Sequence, residues 1–300
     1  MFENIITKAE FESDLAESLR QYEKYRRIVF SQDVSDWNLA AFGWRPLDEL
    51  GSLRSPNFSV IRFNLMSDDF AWEIARYINQ FVLSTKSLKA WADLLDDVDD
   101  EGEKSDILHE FVNPLIHFGL GLPYAIKQKF TFLFSHLSHQ MRLLVSPSNP
   151  DCLVGDGKIN YNTANGFAGD CAAGDLVLDA INEVASDDFS SSTRDLRHGF
   201  SHRITPGIEV GITSSVKRMI ITGGQNDPLE ARMKSVGLEP IRPREKHVVY
   251  GYGASEPMTL HHVVSVLKEQ IRVIHSCFEC YKTFVIDRET WIIGEYGLMA

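Results

Sequence analysis

The chain has 300 residues, 44% hydrophobic and 24% charged, which is the composition of a globular protein able to build a real core. Its formal net charge of −12 excludes a broad basic coat for DNA or RNA, while leaving room for a small basic pocket that acts on one phosphate. No apolar run is long enough to span a bilayer, and Met1 to Phe11 lacks the apolar core of a signal peptide, so the expectation is a cytoplasmic protein with no membrane partner.

In chain order, Ala9, Phe11, Leu15, Leu19, Tyr22 and Tyr25 recur at helical spacing and predict a helix over 8–30. Trp37 to Trp44 reads as one short, interrupted helix. Asn57 to Leu65 alternates weakly and predicts a strand. Ser67-Asp68-Asp69 reads as a helix start before a helix from Phe70 to Val82. Further helices are expected from Leu88 to Val98 and from Asp106 to Phe118. The acidic run Asp93 to Glu101 reads as a solvated helix end and loop. Gly119-Leu120-Gly121 marks a boundary between an N-terminal helical region, 1–118, and a second region, 119–300.

Pro123 suits a first helical turn and opens a predicted helix from Tyr124 to Val145. Ile126, Phe130, Leu133, Phe134, Leu137, Met141 and Leu144 form its apolar stripe. Ser146 to Pro150 stops it, and 151–164 reads as loop. Gly166 to Val184 predicts a second long helix, followed by a polar break from Ser186 to Thr193. Ile208 to Ile212, Val216 to Ile221 and His247 to Tyr250 predict short strands, with turn signals at Gly223-Gly224 and Gly251-Tyr252-Gly253. They make a small β insertion around 205–253. Pro257 opens a last helix, Met258 to Val285, with an apolar stripe suited to a bundle. The expected fold class is therefore mainly α, an antiparallel helical bundle with a small β-rich insertion.

The four cysteines are Cys152, Cys171, Cys277 and Cys280. Cys277 and Cys280 form a lone CxxC; zinc wants four ligands and no second pair is present, so they read as thiols on a helix face.

The densest chemistry lies in Arg194-Asp195-Leu196-Arg197-His198-Gly199-Phe200-Ser201-His202-Arg203, which holds three arginines and two histidines. Arginine presents a planar fork of donors that matches phosphate oxygens. Histidine takes or gives a proton near neutral pH. Metal-free RNA cleavage needs a base for the 2′-hydroxyl, a cation for the phosphorane and an acid for the leaving oxygen. On a regular helix Arg197 and His202 are separated by about 140° in projection. Either the helix breaks near Gly199, or a second surface, such as that of a two-fold dimer, completes the site. Arg194, His198 and His202 follow one another by four and would line one side, with Arg203 pointing away. The plainer alternative is a polar helix face whose cations pair with Asp187, Asp188, Asp195 or the acidic run.

The run Arg197-His198-Gly199-Phe200-Ser201-His202 resembles the signature of the HEPN superfamily, an arginine and, four to six residues on, a histidine. The likeness covers roughly 121–285. It implies a helical bundle in which Arg197 and His202 are the catalytic pair of a metal-independent endoribonuclease; Arg194 and His198, from the same cluster, are expected to assist in positioning the phosphate. It implies RNA as substrate, a homodimer with a composite site, a toxin or antiviral-defence role with a cognate protein inhibitor, and no cofactor or metal. His198 departs from the asparagine often found after that arginine, and the β insertion is not a general family feature.

Two other classes stay open. His198 and His202 form an HxxxH pair that can bind a metal, with His136 and His139 as further ligands, although Gly199 stands where a zinc protease carries glutamate. A non-catalytic interaction or regulatory protein, antitoxin-like or nucleotide-binding, is the other. No Walker-type phosphate loop and no GxSxG elbow are present.

Overall fold

The computed structural model describes residues 8–32, 39–40, 58–146, 148, 150–167, 169, 171–202, 205–222, 235–237 and 246–296. The fold is mainly α with a small β insertion, and it divides into two compact units: Met1–Arg197 with Leu260–Ala300, and His198–Thr259.

The first unit is built on helices α1 (Lys8–Ser31), α2 (Phe58–Leu95), α3 (Glu101–Ile107) and α4 (Asn113–Val145). Shorter helices follow, α5 (Tyr161–Asn165) and α6 (Ala172–Glu183). After α7 (Asp187–Ser192) and α8 (Leu196–His202), the long α9 (Leu260–Tyr296) returns to the unit. Helices α2, α4 and α9 pack on one another, α1 on α2, and α6 on α9. Phe130 meets Tyr281 with ring centres 5.6 Å apart, and Phe134 meets Phe284 at 5.0 Å, so the α4–α9 seam is sewn by aromatic pairs with fully buried rings. Tyr25 of α1 stacks on Trp91 of α2 at 4.4 Å, and Trp91 on Phe111 at 4.9 Å.

Several boundaries differ from the sequence-based expectation, each for a visible reason. Of the strand expected at Asn57 to Leu65, Asn57 lies outside the described residues and the rest is helix: Phe58 opens α2, and Val60, Phe63, Ser67, Ala71, Ile74 and Ile78 lie buried at helical spacing. Ser67 is a buried mid-helix residue rather than a cap, so the expected strand and the helix expected after it are one continuous helix. The true start signal is Asp100, whose carboxylate accepts the Glu103 backbone N–H at 2.8 Å and caps α3. One π-helical turn, Leu108–Val112, joins α3 to α4 without a loop. Pro114 sits in the first turn of α4, whereas Pro123 lies in its interior. The expected boundary at 118/119 thus falls inside α4, where Gly119 and Leu120 are buried. The 151–164 loop contains a 3-10 turn and α5, and the helix expected from Gly166 begins at Ala172. The polar break at 186–193 contains α7. The helix expected at Trp37 to Trp44 lies outside the described residues apart from Leu39 and Ala40, which are not helical.

The second unit holds a β-hairpin, β1 (Thr213–Thr222) paired antiparallel with β2 (Lys246–Ser255) from Thr213↔Ser255 to Thr222↔Lys246. Gly251-Tyr252-Gly253 is part of β2 rather than a turn, and Gly223-Gly224 lies outside the described residues. Ile208, expected in a strand, forms an isolated parallel bridge with Met258, and Gly207 N–H donates to Thr213 Oγ1 at 2.7 Å. Among the described residues no helix is long and apolar enough to cross a membrane.

Candidate functional site

The Arg/His cluster does not ride one continuous helix. Helix α7 ends at Ser192, and Arg194 and Asp195 both adopt left-handed backbone conformations, φ 51° and 53°. Such torsions are uncommon for residues with a Cβ, and here the surroundings hold them. Arg194 N–H donates to Ser191 O at 3.0 Å, Asp195 N–H to Ser190 O at 2.7 Å, and Leu196 N–H to Thr193 O at 3.0 Å. Buried Thr193 ties its hydroxyl back to Phe189 O at 3.0 Å, and fully buried Leu196 anchors the first turn of α8. Arg194 therefore precedes α8, so its expected alignment with His198 and His202 by fours does not hold; only His198 and His202 share that helix. Asp195 accepts a hydrogen bond from Ser190 Oγ at 3.3 Å.

Arg197, in the first turn of α8, is exposed and closes the first compact unit. Its guanidinium carbon lies 4.4 Å from the ring centre of Tyr124 on α4. The Tyr124 ring lies 5.8 Å from that of Phe189 on α7, so three elements fix the platform on which Arg197 rests. Beside it opens a cleft of about 460 Å³ lined by Arg197, Tyr124, Lys127, Gln128, Thr131 and Tyr161, together with Gly121 and Ala125. Lys127 Nζ donates to Asn182 O at 3.0 Å. Burial holds its pKa below the ordinary lysine value, and the carboxylates of Asp187 and Glu183 work against that shift. Gln128 Nε2 donates to Ile159 O at 2.8 Å, and Tyr161 OH to Leu178 O at 3.5 Å. A guanidinium fork and an ammonium on one cleft, flanked by two phenol rings, form a surface for an anion attached to a planar or ribose-like group.

His198 is exposed and belongs to the second unit. His202 ends α8, and its side chain lies outside the described residues, as does Arg203. Tyr124, Lys127, Gln128 and Tyr161 escaped the sequence reading. Tyr124 and Gln128 are spaced by four just after Pro123, the one local hint of a shared face. Nothing local marks Lys127 or Tyr161, which reach the cleft through tertiary packing.

The other histidines and thiols sit apart. His136 Nε2 lies 3.3 Å from Asp156 Oδ1, and His139 Nε2 3.2 Å from Asp151 Oδ1, each facing its own carboxylate in the segment after α4. Cys277 is buried and Cys280 half-buried on α9, both as free thiols. Among the described residues no three His, Cys, Asp or Glu side chains come together as a metal-binding group. Comparison of the chain with protein-family models, with curated proteins and with solved structures returns no match.

Proposed function

We propose that this chain is a metal-independent endoribonuclease of the HEPN type. Arg197 holds the scissile phosphate, and His202 moves the proton between the ribose 2′-hydroxyl, the phosphorane and the leaving 5′ oxygen. The observation that carries this reading is Arg197 itself: exposed, seated on Tyr124, and on the rim of a cleft that also holds Lys127. An exposed guanidinium supported by an aromatic ring can present its donors to phosphate oxygens.

In this scheme a base takes the 2′-hydroxyl proton, the 2′ oxygen attacks phosphorus, and the P–O5′ bond breaks as the 5′ oxygen gains a proton. The products are a 2′,3′-cyclic phosphate and a 5′-hydroxyl, and no water or metal enters the bond-making step. Arg197 and Lys127 offset the negative charge that builds on the phosphorane. His198 and Arg194 contribute further positive or hydrogen-bonding groups along the same stretch of chain. Two copies of the motif in a homodimer would supply acid and base together, and a toxin held in check by a protein inhibitor is the cellular setting such chemistry suits.

The test is incubation of purified protein with total RNA in excess chelator, beside His202→Ala and beside RNA carrying 2′-O-methyl groups throughout. Chelator-resistant cleavage that ends in cyclic phosphates, and is lost in both controls, is the expected result. Equal cleavage by wild type and His202→Ala, or cleavage of the methylated RNA, removes the proposal.

A further inference from the structure

The hairpin of the second unit carries an exposed face that the catalytic reading does not use. The register pairs Val216 with Tyr252, Arg218 with Tyr250 and Ile220 with Val248. Side chains alternate along a strand, so these six share one face. All six are exposed, Tyr252 at 81% and Tyr250 at 56%. Among the described residues the sheet has two strands, β1 and β2. A two-stranded ribbon with solvent-facing rings has little to hold its apolar face in water.

Charge identifies what covers it. Neither strand contains Asp or Glu, while together they contain Lys217, Arg218 and Lys246. Residues 198–259 hold eight Lys or Arg against six Asp or Glu, whereas the rest of the chain holds 22 against 36. The ribbon is thus a cationic, tyrosine-bearing surface on a strongly acidic protein. A second copy docked face to face would bring two Arg218 side chains onto one interface, which like-charge repulsion disfavours.

We infer that this face binds single-stranded nucleic acid, with bases stacked on Tyr250 and Tyr252 and the phosphates drawn to Arg218. The two rings stand two residues apart on one strand, roughly 6.8 Å along it. That is about twice the 3.4 Å rise of stacked bases, so two neighbouring bases that have come apart can each take one ring. Arg218 lies directly across from Tyr250, where a guanidinium can reach the phosphate beside a base stacked on that ring. Duplexes hide the base faces that such a platform needs. The choice of RNA as the natural strand rests on the function proposed above; the stacking platform itself needs neither Arg197 nor His202.

The experiment measures fluorescence anisotropy of labelled 2′-O-methyl U12, dT12 and a 12-base-pair duplex with the full chain. The methylated strand lacks the attacking hydroxyl and survives any cleavage. Single strands of either sugar are expected to bind at least 10-fold tighter than the duplex. The pair Tyr250→Leu/Tyr252→Leu keeps apolar bulk but removes the rings, and weakens binding by roughly 5- to 100-fold for each ring lost. The pair Tyr250→Phe/Tyr252→Phe, expected to fold as the wild type does by circular dichroism, retains it. Arg218→Gln lowers the salt dependence, the slope of log K against log salt, by about 0.7. Duplex preference, absence of binding, equal binding by the leucine and phenylalanine pairs, or a dimer that the leucine pair dissociates with no change in oligonucleotide affinity would each overturn the inference. RNA cleavage abolished by His202→Ala, with strand affinity indifferent to both tyrosines, sinks the inference and spares the nuclease. A phenylalanine-for-leucine difference in strand affinity in a protein that never cleaves RNA does the reverse.

Discussion

Arg197 and Tyr124 are joined face to ring, with the guanidinium carbon 4.4 Å from the ring centre. The pair links α8 to α4 and sets where the cation of the cleft stands. Contacts of this kind at exposed sites are worth about 0.5–1 kcal/mol. Tyr124→Leu is therefore expected to raise KM for RNA about 2- to 5-fold with kcat little changed, while Tyr124→Phe behaves as wild type. Steady-state kinetics on a defined oligonucleotide checks this, and a KM for Tyr124→Leu equal to wild type would show that the ring does not position Arg197.

Acid should weaken the fold through His136. Burial holds this imidazole below its ordinary value of 6.5, and nearby Asp156 only partly offsets that. The folded form therefore binds fewer protons than the unfolded form as pH drops. The stability it contributes is present above about pH 6.5 and is lost as pH falls through the lowered value. His117, also lowered by burial, adds in the same direction. His136 already lies against Phe132, with ring centres 4.3 Å apart, and near Phe70 at 6.4 Å, so His136→Phe suits the site. Urea midpoints at pH 7.5 and pH 5.0 should fall less in this variant than in the wild type; an equal fall would contradict the assignment.

Gln270 should prove a structural residue. Its Oε1 accepts the Ala185 backbone N–H at 2.6 Å inside the core, where Ala185 itself is left-handed at φ 47°. Gln270→Ala leaves that N–H buried without its acceptor, a loss of about 1–3 kcal/mol. Equilibrium urea unfolding measures it, and a change below about 0.5 kcal/mol would mean that the bond contributes little.

The four thiols should react in order of exposure. Cys152 is exposed, whereas burial raises the Cys277 thiol far above its ordinary value, with Cys280 adding to the effect and Lys127 opposing it. Alkylation of native protein, read by peptide mass, should label Cys152 first and Cys277 only on unfolding. Faster labelling of Cys277 and Cys280 after a chelator would instead mark them as a metal pair.

What the sequence made legible was periodicity with an unbroken phase. The stripe from Ile126 to Leu144 and that of α9 are buried as expected, because each repeats every three or four residues over many turns. Local punctuation misled where packing overrode it. Ser67-Asp68-Asp69 has the composition of a cap, yet Ser67 continues the buried row from Phe63 to Ala71 while Asp68 and Asp69 face outward. Pro123 resembles a first-turn proline, yet α4 runs through it from Pro114. Arg197 was visible as a cation in a dense cluster, but its platform was not. Tyr124 lies 73 positions earlier in the chain, and only the α4–α8 approach brings the two together. The left-handed pair Arg194-Asp195 carries no glycine or asparagine to announce it; it is held by backbone bonds from Ser190, Ser191 and Thr193.

The most direct measurement is the single-turnover rate of a defined RNA oligonucleotide in excess chelator, for wild type, Arg197→Ala and His202→Ala at matched folded concentration. Loss of a positioned proton carrier costs roughly 10²- to 10⁴-fold, and loss of the phosphate cation is expected to cost a comparable factor. Both variants should therefore fall at least 100-fold while keeping the wild-type unfolding midpoint. Either variant cleaving at the wild-type rate would contradict the Arg197–His202 mechanism.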